Sequence, residues 1–142
     1  MNARNIVESI ETLSSQTGRL QKDLVQAVSD TACWILEQAI AAGIRETFSL
    51  GSGFEARLER VDGGGGWFYP FIFKLRDKDL NDLGLVYWEQ NETVTSPRLI
   101  SPPIALAFAQ NAVAIIDGFK TYLAEHQGQY ASAMEVISEA RK

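Results

Sequence analysis

The sequence predicts an α+β protein in which an antiparallel β-meander of four or five strands is flanked by a long N-terminal helix and by C-terminal helices. Three observations carry this expectation. Apolar residues recur at helical spacing up to residue 42, switch to alternation between residues 44 and 100, and return to helical spacing after Ser101-Pro102-Pro103. The chain therefore divides into a helical part (residues 3–43), a meander (44–100) and a second helical part (101–141), with no repeat or linker to suggest more than one domain.

In the first part, Ala3, Ile6, Val7, Ile10 and Leu13 share one side of a helix, and Leu20, Leu24, Ala27, Val28, Thr31, Ile35, Ala39 and Ala42 continue a stripe opposite Asp23, Gln26, Asp30 and Glu37. Cys33, Leu36 and Ile40 add a second apolar flank, so the later half of this helix should be covered from two sides. The polar run Ser14-Ser15-Gln16-Thr17 followed by Gly18 favours two helices with a kink or turn there, since glycine costs about 1 kcal/mol against alanine inside a helix. An unbroken helix would be about 60 Å long, longer than the domain available to cover it, and would call for a partner chain.

Two strands follow. Phe48 and Leu50 alternate with Thr47 and Ser49, Phe54, Ala56 and Leu58 alternate with Glu55, Arg57 and Glu59, and Gly51-Ser52-Gly53 joins them as a hairpin. Asp62 and the four glycines at 63–66 then lead into Trp67-Phe68-Tyr69-Pro70-Phe71-Ile72-Phe73, a strand apolar on both sides and so expected at the centre of the sheet. Pro70 cannot donate to a ladder and marks a bulge or an unpaired side. Residues 76–82 form a charged turn, residues 85–89 a fourth strand, and residues 93–100 a fifth, shortened by Pro97. Ser101 with Pro102 and Pro103 starts a helix that carries Ile104, Phe108, Ala112, Ile115, Phe119 and Tyr122 inward, with Leu106, Val113, Ile116 and Leu123 widening the stripe. It is expected to stop near Gly128, before a short terminal helix with Tyr130, Met134 and Ile137 on one side.

Composition narrows the function classes. The net charge of −5 gives no basic footprint for nucleic acid. A hydrophobic fraction of 46% with mean hydropathy −0.08 fits a soluble globular protein. The longest apolar run, residues 104–116, is shorter than the roughly 20 residues a membrane span needs and reads as a core helix. A single cysteine forbids an internal disulfide, and the first residues lack a signal-peptide core, so the expected location is the cytoplasm. Asn91-Glu92-Thr93 matches a glycosylation acceptor but reads as a polar hairpin turn.

No pattern selects a metal, a cofactor or a catalytic group. The glycines at 63–66 invite a phosphate cradle, but they feed an aromatic strand and carry no Lys or Ser/Thr at their end. Asp77, Asp79 and Asn81 alternate as in the first half of a calcium loop. The match then fails, with Asp82 where glycine belongs and Trp88 where a bidentate glutamate belongs. His126, the one histidine, and Cys33 could form a nucleophile and base only if the fold joined them, whereas Cys33 lies on an apolar flank suited to inert packing. Glu46, Glu55, Glu59, Asp77, Asp79 and Glu89 offer carboxylates, and their spacing selects no pair.

What remains is an excess of apolar surface. Trp67, Tyr69 and Phe71 on the aromatic strand, Tyr87 and Trp88 on the next, and the flank Cys33, Leu36, Ile40 are the expected contact residues of a non-enzymatic cytosolic interaction module. It would act as an adaptor, chaperone-like factor or assembly subunit, binding a protein partner or itself and neither nucleic acid nor membrane. The alternative is a small-molecule-binding or sensing domain whose pocket, lined by Trp67, Tyr69, Tyr87 and Trp88, lies between sheet and helix.

Overall fold

A computed structural model describes residues 2–61, 70–89 and 92–142. The element order is α1 (Ala3–Ala41), β1 (Phe48–Gly51), β2 (Phe54–Arg60), β3 (Phe71–Arg76), β4 (Asp82–Glu89), β5 (Glu92–Pro97), α2 (Pro102–Gln110) and α3 (Ala112–Ala140). The strands form one antiparallel sheet in the order β1-β2-β3-β4-β5, the expected meander.

Each turn has a visible cause. Gly51, Ser52 and Gly53 all take positive φ, a conformation open to glycine without cost. Between β3 and β4 the Asp77 carboxylate accepts from the backbone N–H groups of Asp79 (3.0 Å) and Asn81 (2.9 Å), and from the Asn81 side chain (2.9 Å). Those bonds use the oxygens that a calcium loop would need, and among the described residues no group of three or more His, Cys, Asp or Glu could hold a metal ion. Pro70 lies just before β3, where its missing N–H costs no ladder bond, and its carbonyl accepts from Val61 N at 2.7 Å. The glycines at 63–66, Trp67, Phe68, Tyr69 and the Asn91 acceptor lie outside the described residues.

Alternation along the strands gives the sheet one buried face and one largely polar face, although Leu85 of β4, in line with Lys74 and Arg57 on the polar face, is buried as well. Register places Leu58, Phe73 and Val86 in line, and Ala56, Leu75 and Gly84 beside them; all face the helices and all but Leu58 are fully buried. The opposite face carries charge: Glu59 meets Lys74 at 2.9 Å and Arg57 at 3.3 Å, and Arg76 meets Asp82 at 2.9 Å. Hydrogen bonding from Lys74, with the charges of Lys74, Arg76 and Arg57 around it, holds the Glu59 carboxyl below the usual range.

α1 crosses the buried face chiefly over β4. Its approach is set by Gly84, where an added Cβ would lie 2.9 Å from Cys33 Sγ and 3.1 Å from Cys33 N. Ser29 locks the crossing: its buried hydroxyl donates to Leu83 O (3.2 Å) and accepts from Arg98 N (2.9 Å). α3 lies over β1 more closely still, because a Cβ on Gly118 would stand 2.2 Å from Leu50 O. Phe48 of β1 stacks on Phe119 (5.9 Å) and on Tyr122 (4.3 Å) of α3 and meets Phe73 edge-on (6.0 Å), which ties α3 to the sheet within the one core cluster that also takes in α1 and α2.

The helices depart from the expected boundaries. α1 is a single helix of 39 residues and runs through Gly18 without a break. Asn2 caps it, its side chain accepting from Asn5 N at 3.0 Å. Near its other end Gly43 takes φ 76°, the left-handed conformation that lets a chain leave a helix. The expected helix from Ser101 is divided instead: α2 and α3 meet at a 61° bend at Asn111, whose side-chain amide donates to Ala107 O at 2.7 Å. Asn111 thereby turns a local side-chain bond against helix continuation. Ser101 precedes α2, but its side chain makes no capping bond. Gly128 interrupts nothing, and α3 continues to Ala140. Among the described residues no single helix is long and apolar enough to cross a membrane.

Candidate functional site

Among the described residues, the expected contact residues Cys33, Leu36, Ile40, Phe71, Tyr87 and Trp88 do not share one surface. Cys33 and Leu36 are 4% and 0% exposed and belong to the core, so the flank that seemed surplus is the side of α1 that meets β4; Ile40 is half-buried at its edge. Burial raises the Cys33 thiol pKa, and the thiol faces Leu85 O at 3.9 Å. Trp88 is also interior, stacked against Phe71 and Phe73 at 5.3 Å each, with the Arg45 guanidinium 5.4 Å from its ring centre. Tyr87, one residue away along the same strand, stands on the opposite face beside Ile72 and Val94. A pocket lined by Tyr87 and Trp88 together is therefore geometrically excluded. Trp67 and Tyr69 lie outside the described residues.

Candidate chemistry is likewise dispersed. Cys33 sits against β4, whereas His126 projects from α3 with Nδ1 3.9 Å from Glu46 Oε1. The Tyr122 hydroxyl donates to that same Glu46 oxygen. Burial first, and then this bond and the carboxylate charge, raise the Tyr122 pKa well above the usual range. Glu59, Asp77 and Asp82 are engaged with cations or the turn backbone, not with one another.

Two features stand out in their place. The first is the initial half of α1. Every residue from Asn2 to Asp23 is exposed, and burial of the helix starts only at Leu24. Along this stretch Ile6, Val7, Ile10, Leu13 and Leu20 are 47%, 51%, 58%, 62% and 68% exposed. The sequence shows this stripe, but its covering was expected from the chain's own domain, and what leaves it uncovered is the continuity of the helix through Gly18.

The second feature is a groove of about 840 Å³ between the end of α1 at Ala42 and Gly43 and the α3 residues Leu123, His126, Tyr130 and Met134. Tyr122, His126 and Tyr130 fall at successive i, i+4 positions, with ring centres 6.0 and 5.0 Å apart, so α3 presents a short aromatic ladder that begins at Phe48 and ends at the groove. Its spacing was legible in the sequence; the glycine at 128 masked it, because the helix was expected to stop there.

In comparisons with known proteins, no family model, no curated protein and no solved structure matches this chain. Function must be argued from the two surfaces alone.

Proposed function

We propose that this chain is a non-enzymatic interaction module of the cytoplasm, an adaptor, chaperone-like factor or assembly subunit, and that its principal contact surface is the first half of α1. The observation that carries this reading is the row of five half-exposed or more exposed aliphatic side chains on a helix that leaves its own domain. Most of the stability of a helix in a protein comes from packing its apolar face rather than from propensity. A monomer gains nothing from carrying that face into solvent.

Native mass spectrometry of the protein purified from its own source tests the proposal. Wild type should carry at least one further polypeptide, and the double variant Ile10→Asp, Leu13→Asp should not. A wild-type chain found alone under conditions that preserve known complexes overturns the reading.

The groove beside α3 favours a second reading, a binding site for a small apolar ligand. Its walls are Leu123, Ala124, Ala131 and Met134, with Lys120 and His126 available to orient a polar group. A ligand of that kind must raise the thermal midpoint of wild type and fail to raise that of Met134→Asp.

A further inference from the structure

The exposed stripe of α1 has a period that names its partner. Ala3, Ile6, Ile10, Leu13, Thr17, Leu20 and Leu24 follow one another at intervals of three, four, three, four, three and four residues. That is a repeat of 3.5, the spacing of a coiled-coil seam, with Val7 beside it at e. Assigned as a heptad, Ala3, Ile10, Thr17 and Leu24 occupy a, and Ile6, Leu13 and Leu20 occupy d. In the central heptad Ile10 at a and Leu13 at d are the combination that favours two parallel strands.

We infer that residues 3–24 of α1 pair with the same residues of a second copy of this chain as a parallel, in-register, two-stranded coiled coil. The inference rests on the interaction-module reading and commits it to one occupant.

Charge placement makes the helix compatible with itself. The positions flanking the seam, g and e, pair Asn2 with Val7, Ser9 with Ser14, and Gln16 with Gln21 across a parallel dimer. None of these three pairs juxtaposes like charges. Arg4, Glu8, Glu11, Arg19 and Lys22 all fall at b, c or f, on the side away from the seam, where Arg4 pairs with Glu8 within its own helix at 3.3 Å. Charged heteropartners are usually selected through e and g, and here those positions carry no such code.

The area also fits. Ile6, Val7, Ile10, Leu13 and Leu20 together offer on the order of 500 Å² of apolar surface per chain, against roughly 800 Å² per partner in a standard interface. The stems of Ala3, Ser9, Gln16, Thr17 and Gln21, all exposed at or beside the seam, supply much of the difference. Residue 24 closes the zipper, because from Leu24 onward the helix turns its apolar side to its own core.

Sedimentation equilibrium of the full chain is the first test. Wild type should be a dimer at roughly 50 μM chain, with a dissociation constant that rises at least 100-fold in Ile10→Asp, Leu13→Asp and falls tenfold or more in Thr17→Ile, which removes the one hydroxyl at the exposed a positions. Ile6→Cys reports orientation: mild oxidation should join two chains through position 6, without interference from Cys33, which is 4% exposed. A monomeric wild type overturns the inference, as does a dimer insensitive to the Asp pair or one that Ile6→Cys does not cross-link. If wild type is monomeric yet carries a different polypeptide that the Asp pair releases, the self-pairing fails and the interaction-module reading stands. If it is monomeric and carries nothing, both fail.

Discussion

One hydroxyl ties α1 both to β4 and to the chain just past β5. Ser29 is 2% exposed and satisfies two buried groups at once, the Leu83 carbonyl and the Arg98 N–H. Ser29→Ala leaves both without that partner, which should cost about 1–3 kcal/mol in urea unfolding, more than removing an exposed hydroxyl would. A loss below about 0.5 kcal/mol would mean that the Ser29 bonds are dispensable. Tyr122 gives the matching pH prediction. Its phenol is raised by burial, by its bond to Glu46 and by the carboxylate charge. A raised folded pKa means that the fold retains a proton the unfolded chain loses, so this contribution is complete below the ordinary tyrosine range and lost as pH climbs through and above it. Ultraviolet titration should therefore show a tyrosine component that ionises above the ordinary tyrosine range. In Tyr122→Phe the late component should vanish; its persistence would assign it to another residue.

At the scale of elements, the contrast between two glycines separates packing from propensity. Gly118 of α3 rests on the β1 backbone, where an alanine methyl would stand 2.2 Å from Leu50 O, whereas Gly18 of α1 has no atom within 4 Å of its added methyl. Gly118→Ala gains up to about 1 kcal/mol of helix propensity and must push helix from strand, so a net loss of about 2 kcal/mol or more is expected from urea unfolding. Gly18→Ala meets no obstacle and should raise helix content in far-ultraviolet circular dichroism without weakening the fold. Equal effects at both positions would contradict the close approach at Gly118. The same contrast explains what the sequence made legible. Strands and hairpins could be placed because alternation and Gly51-Ser52-Gly53 act locally and agree with each other. The helix boundaries could not, because a glycine costs only about 1 kcal/mol and no proline reinforces it at 18 or 128. The real break, at Asn111, comes from one side-chain bond to Ala107 O inside an apolar run. That the later half of α1 is covered on two sides was legible, but what covers the flank of Cys33 was not, because the close crossing at Gly84 joins elements about 50 residues apart.

For the whole molecule, these elements resolve into a folded domain and an arm that contributes nothing to its core. Every buried residue of α1 lies between Val28 and Ala39, and the arm before Leu24 meets neither sheet nor helix with a buried side chain. Removing residues 1–20 should accordingly leave a domain that still unfolds in one cooperative transition. Its unfolding free energy from urea should match that of the full-length Ile10→Asp, Leu13→Asp variant to within about 0.5 kcal/mol, since changes at sites without packing partners usually stay inside that range. The comparison with that variant matters, because any assembly by wild type adds stability that depends on chain concentration. A truncated chain that loses its cooperative transition would show that the arm folds back on the domain in solution, and would return the stripe from Ile6 to Leu20 to the domain's own core. Retention of the transition would show that the stripe from Ile6 to Leu20 has no part in the stability of the domain itself.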